Sequence, residues 1–160
     1  MRFIKKICFF LYFCFIFLIP FGNCDTVMMF GQQQKDKKIV EFTEVRRLNS
    51  TIKLKPSIII KTTKEIKDLY KKFNNSRYSR SAPIPVLEND DEIFLVLKPI
   101  LKNIKYGDFE VEKIESDGLI LYVFYKEVDN QEYFEKKQSN PIIILKIFDK
   151  PKKIKLIKIQ

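Results

Sequence analysis

Along residues 39–160 apolar and polar positions alternate in short stretches, and the period of the alternation lengthens over one stretch only. Residues 39–45, IVEFTEV, set Val40, Phe42 and Val45 among polar neighbours, and residues 50–55, STIKLK, alternate Ile52 and Leu54 with lysines. Successive strand side chains point to opposite faces, so both patterns predict half-buried strands. A short apolar run, Ser57-Ile58-Ile59-Ile60, follows. The period then lengthens, with Ile66, Leu69, Tyr70 and Phe73 at i, i+3, i+4 and i+7 along one face of a helix. Thr62 stands as N-cap with Glu65 three residues on, the spacing of a capping box. Asn74-Asn75 closes the helix.

Beyond that helix the pattern is strand-like again. Residues 92–98, EIFLVLK, read as a buried strand. Residues 108–115 alternate through Phe109, Val111 and Lys113 and lose phase at Ile114, which predicts a bulge or the strand end. Ser116-Asp117-Gly118 predicts a turn, and residues 119–128, LILYVFYKEV, the most hydrophobic strand, expected to be central. Residues 129–140 read as a polar loop, and residues 141–148 as another strand. Asp149-Lys150-Pro151-Lys152 predicts a turn into a last strand over residues 153–159, closing a hairpin. Its lysines, Lys146, Lys150, Lys152, Lys153, Lys155 and Lys158, form a ladder that could bind phosphates, but they better suit an edge strand that resists unwanted pairing. No internal repeat is found. The fold class that follows is α+β, with one helix on a mostly antiparallel sheet of six to eight strands, curled into a sandwich or open barrel.

The first residues follow another pattern. Arg2, Lys5 and Lys6 precede thirteen uncharged apolar residues, Ile7 to Ile19, which Pro20 ends. About 20 apolar residues are needed to span a bilayer core, so the run has the length of a signal peptide rather than of an anchor. Residues 1–24 are therefore expected to be a signal peptide, residues 25–38 a flexible tether and residues 39–160 a single domain. Two cleavages fit the segment PFGNCDT. A lipoprotein peptidase cutting before Cys24 would leave a diacylglycerol on its thiol and a membrane-anchored protein, periplasmic or at the cell surface. A type I peptidase cutting after Cys24 would leave a secreted one. Phe21-Gly22-Asn23 resembles a relaxed lipobox, and the lipidated Cys24 is the reading we carry forward.

Composition narrows the chemistry. The three cysteines, Cys8, Cys14 and Cys24, all fall in the signal region, so the domain has neither an internal disulfide nor a thiol nucleophile. The chain has no histidine, which removes Ser-His-Asp and Cys-His catalysis and nearly all zinc chemistry. Ser-Lys and carboxylate-only mechanisms survive that exclusion. With four glycines in all, no P-loop or dinucleotide fingerprint is present. The carboxylates gather at Glu88-Asp90-Asp91-Glu92, without the spacing of a calcium loop, and at Glu110-Glu112-Glu115-Asp117, where Glu110 and Glu112 share a solvent face. No catalytic, cofactor-binding or metal-binding residue is assigned, and the chain reads as a non-enzyme.

Of the 30 Lys and Arg, three lie in the signal segment, leaving 27 against 20 Asp and Glu, a net +7. Such an excess suits polyanions or acidic membrane surfaces. It is spread rather than clustered, as a lysine-rich, AT-biased coding habit would also make it. No helix of clustered arginines and no aromatic-glycine RNA signature is found, so nucleic acid is not expected as a partner. In residues 74–86, NNSRYSRSAPIPV, a loop by composition, Tyr78 stands between Arg77 and Arg80. Tyr and Arg are favoured anchors of protein interfaces, which makes Arg77, Tyr78 and Arg80 candidate partner-binding residues. The alternative, an ordinary solvated loop, is the reading that composition alone favours.

The order of elements from Ile58 to about Ile159 resembles the C-terminal domain of the PrcB-type protease complex subunit family. The elements that carry it are SIIIKTTKEIKDLYKKF, IPVLENDDEIFLVL, the step Gly107-Asp108-Phe109 before FEVEKI, then LILYVFYKEV and NPIIILKIF. Asp108 stands where the family pattern has a second glycine, and Phe109 where it has tyrosine. The resemblance implies a spirochaete-like envelope lipoprotein that associates with an extracytoplasmic subtilisin-like protease and serves its assembly, stability or maturation. The alternative expectation, from charge alone, is a basic surface adhesin that binds host polyanions.

Overall fold

A computed structural model describes residues 36–73 and 83–160. The expected signal peptide with Cys24, most of the expected tether, and the candidate partner-binding residues Arg77, Tyr78 and Arg80 lie outside the described residues. The elements are β1 (Lys38–Ile39), β2 (Phe42–Asn49), β3 (Ser57–Ile60), α1 (Thr63–Phe73), β4 (Glu92–Leu97), β5 (Asp108–Ser116), β6 (Ile120–Val128), α2 (Gln131–Glu135), β7 (Pro141–Phe148) and β8 (Lys153–Lys158). They form two four-stranded sheets, ordered β1-β5-β6-β8 and β2-β7-β4-β3, and every pairing is antiparallel except β6 with β8. The fold is α+β, as the alternation predicts, and of its two expected forms it is the sandwich.

Two cores explain the strand sequences. The first lies between the sheets and holds Ile93, Leu95 and Leu97 of β4, Ile143, Leu145 and Ile147 of β7, Phe109 and Ile114 of β5, and Leu121 and Val123 of β6. The second lies between the β2-β7-β4-β3 sheet and α1, where Phe94, Val96, Ile142 and Ile144 meet Ile66, Leu69 and Tyr70. Strands β4 and β7 are thus buried on both faces, which is why they read as continuous apolar runs rather than alternations. Strands β5 and β6 bury one face and alternate. The capping box on α1 is formed: the Glu65 amide donates to Thr62 Oγ1 at 3.2 Å, and Glu65 Oε2 accepts from the Thr62 amide at 3.1 Å.

Several expectations are corrected. The strand expected at residues 39–45 is two strands in different sheets: β1 pairs with β5, β2 with β7, and the buried Val40 marks the crossing. Residues 50–56 join no ladder, although Ile52 and Leu54 lean half-buried on the second core. The polar stretch contains the short helix α2, with the Asn130 side chain accepting from the Tyr133 amide at 3.0 Å. The last two strands make no hairpin. Strand β7 already has β2 and β4 on its two sides, so β8 crosses to the other sheet and pairs parallel with β6. The lost phase in β5 is a bulge, between Val111 and Lys113. The turn at Ser116-Asp117-Gly118 is in place, with Gly118 at φ 85°, and β6 is an inner strand of its sheet.

Candidate functional site

Buried charge in this domain goes first to holding the two sheets. A bulge between Glu44 and Arg46 of β2 turns Glu44 and Arg47 to the same side. The Arg47 guanidinium then forks onto both Glu44 carboxylate oxygens, at 2.9 and 2.6 Å, and reaches across to Asp108 Oδ2 at 2.8 Å and the Phe109 carbonyl at 2.9 Å. Asp108, 3% exposed, also accepts its neighbour's amide at 2.8 Å. Asp108 therefore fastens β5 to β2.

Of the first acidic cluster only Glu92 is buried. It accepts from the amides of Glu88 and Asn89, at 2.6 and 3.3 Å, and lies 3.0 Å from Lys146 Nζ. Burial pushes its carboxyl up, but those amides and Lys146 outweigh burial and hold it at about 2. Glu127 is arranged likewise: burial opposes ionisation, while Lys158 at 2.8 Å and the amides of Lys102 and Asn103 pull its pKa down. Among the described residues no group of three His, Cys, Asp or Glu side chains is placed to hold a metal ion. A cleft of about 410 Å³ opens where the chain switches sheets, walled by Ile39, Phe42, Lys113, Lys146 and Phe148. Both of its lysines are engaged, Lys113 with Glu115 and Lys146 with Glu92.

What remains is the outer face of the β1-β5-β6-β8 sheet. The other sheet carries α1 on its outer side, whereas among the described residues no helix packs on this one. The register sets Ile120, Tyr122 and Phe124 of β6 beside Lys153, Lys155 and Ile157 of β8. Lys37 lies over the Tyr122 ring at 4.0 Å and Lys113 over Phe124 at 4.6 Å. The Tyr122 hydroxyl donates to Asp117 Oδ2 at 3.0 Å; that bond, and then partial burial, raise its pKa. On the β5 side Lys126 pairs with Glu110 and Glu112, which confirms those two as solvent-face residues.

The lysine ladder of the sequence is thus divided. Lys146, Lys150 and Lys158 are paired, with Glu92, Asp91 and Glu127. Lys152, Lys153 and Lys155 make no ion pair among the described residues, and all three are exposed at the β8 end of the face. The spread charge of the sequence hides this local excess, because the partners of the other lysines lie far from them in sequence. No helix among the described residues is long and apolar enough to cross a membrane.

No family model, curated protein or solved structure matches the chain. The PrcB-type likeness accordingly rests on the order and spacing of the elements alone.

Proposed function

We propose that this chain is a non-enzymatic, exported accessory protein, held at the membrane by lipid on Cys24, that binds another extracytoplasmic protein and assembles or stabilises it. The observation that carries the reading is the division of charge. The buried carboxylates Asp108, Glu92 and Glu127 are spent on fastening strands and loops, while Lys152, Lys153 and Lys155 make no ion pair among the described residues and stand near Ile120 and Ile157 on a sheet face that no described helix covers. A face that mixes aliphatic, aromatic and cationic side chains suits a protein interface. The PrcB-type resemblance extends the proposal to a subtilisin-like protease complex as the partner.

The test is a pull-down of the tagged protein from detergent-solubilised envelope, with bound proteins identified by mass spectrometry. Recovery of a secreted protease or its subunits supports the reading; absence of any enriched protein, under conditions where a control bait works, overturns it. The same unpaired lysines favour one second reading, a polyanion-binding adhesin. Retention on heparin that collapses as salt is raised, together with an empty pull-down, would select it.

A further inference from the structure

Strand β8 is an outer strand of its sheet, and the side of it that no described strand pairs has a definite chemistry. The amides of Lys153 and Ile159 donate to β6-side carbonyls, those of Leu119 and Tyr125, at 3.2 and 2.8 Å. Backbone groups alternate sides along a strand, so those of residues 153, 155, 157 and 159 face β6. The N–H and C=O groups of Ile154, Leu156 and Lys158 therefore point away from the sheet, and among the described residues nothing bonds to them. Side chains flank this edge in two rows. Lys153 and Lys155 lie about 7 Å apart on the outer face, followed by Ile157, while Ile154 and Leu156 lie half-buried on the inner face.

From this we propose that the β8 edge takes an added strand from a partner protein: an extended segment with acidic residues at alternating positions and apolar residues between them. This rests on the reading of the domain as a protein-binding module. The backbone supplies the ladder, the two lysines meet the carboxylates, and the apolar row covers the exposed flanks of Ile154 and Leu156. A second copy of this chain does not fit. Two β8 edges laid together would crowd Lys153 and Lys155 of both copies onto one face of the joined ribbon, the kind of charge repulsion by which edge strands avoid self-pairing. The other long edges suit this less well. Strand β2 is bulged, and β3 has four residues and presents serine and isoleucines without cations.

The experiment uses the full chain in a non-ionic detergent at about 0.15 M ionic strength, and fluorescence anisotropy with a labelled peptide of alternating Glu and Val. Three companions are its isomer with Glu and Val in separate blocks, and two versions N-methylated at every Val or at every Glu. The alternating peptide is expected to bind at least about tenfold more tightly than the block isomer, and Lys153→Glu/Lys155→Glu to weaken it about tenfold or more. N-methylation discriminates the geometry. In antiparallel docking the Val amides face β8 and in parallel docking the Glu amides do, so one N-methylated peptide binds and the other does not. Equal binding of alternating and block peptides, indifference to both N-methylations, or no binding at all overturns the edge assignment. If the alternating peptide does not bind while the envelope pull-down still recovers a partner from the Lys153→Glu/Lys155→Glu protein, the protein-binding reading survives and only the edge is wrong.

Discussion

Replacing Arg47 tests the central electrostatic argument, that the sheets are tied through one guanidinium. In Arg47→Met the Asp108 carboxylate stays 3% exposed and keeps only its own neighbour's amide and a 3.5 Å contact from Asn130 Nδ2. The Phe109 carbonyl loses its side-chain donor as well. Removing one partner of a buried pair costs about 3–5 kcal/mol, because the other charge is left in a poor environment. The Arg47 side chain is 30% exposed, so water screens part of the interaction and the lower end, about 3 kcal/mol, is expected. With an m-value of about 2 kcal/mol per M in urea, the midpoint should fall on the order of 1.5 M at unchanged slope. The chain has no tryptophan, so the transition is followed by far-ultraviolet circular dichroism and tyrosine emission. Adding Asp108→Asn removes the stranded charge and keeps an acceptor for the Phe109 amide; the double variant should recover at least half of the loss. A loss under about 1 kcal/mol for Arg47→Met, the range of exposed pairs, would refute the reasoning and reduce the tie to a surface ornament.

The remaining expectations concern acid, space and a helix end. Glu92 is held at about 2 against an ordinary value of 4.5, so the unfolded chain binds its proton first. Its stabilisation is complete above about pH 4.5 and is lost as pH falls toward 2. Urea midpoints measured across that window should decline steeply, and less steeply in Glu92→Gln; parallel declines would contradict the assignment. In Gly107→Ala the new methyl would sit 2.7 Å from Ile104 Cγ2 and 2.9 Å from the Val128 carbonyl. The isoleucine can yield but the backbone carbonyl cannot, so a cost of about 1–3 kcal/mol is expected, read as a lowered melting temperature; an unchanged melt would show that the β5–β6 end yields freely. Thr62→Ala removes the acceptor for the Glu65 amide and should cost about 1 kcal/mol by urea titration, with no effect meaning that the cap is dispensable.

Local patterns carried much of this fold, because they report how deeply a residue is buried. The capping box at Thr62 and Glu65 and the apolar stripe of α1 lie within one stretch of chain, and both were legible. So were the two-sided strands β4 and β7, since only burial on both faces tolerates EIFLVL and PIIIL. Alternation alone does not specify a ladder, however. Ile52 and Leu54 alternate with lysines because they lie at the rim of the helix-side core, with no strand beside them. The short helix α2 did leave a signal, an asparagine cap followed by Glu132 in the first turn, inside a stretch whose polarity suggested loop.

Pairing partners are a different kind of information, and the candidate face depends on them. The four residues between β7 and β8 have the length of a hairpin turn, and a hairpin would have placed all six lysines on one ribbon. The hairpin fails because β7 has no free side, and that is decided by β2 and β4, dozens of residues upstream. Sending β8 to β6 separates Lys146 from Lys153 and Lys155 and leaves β8 as the outer strand of the other sheet. The same pairing puts Lys153 and Lys155 on a face with Tyr122 and Ile120 rather than with Ile142 and Ile144. The lysines were visible as a ladder from the start. Which of them are free to meet a partner is a consequence of sheet order, and the peptide experiment on the β8 edge therefore tests the topology and the proposed binding mode together.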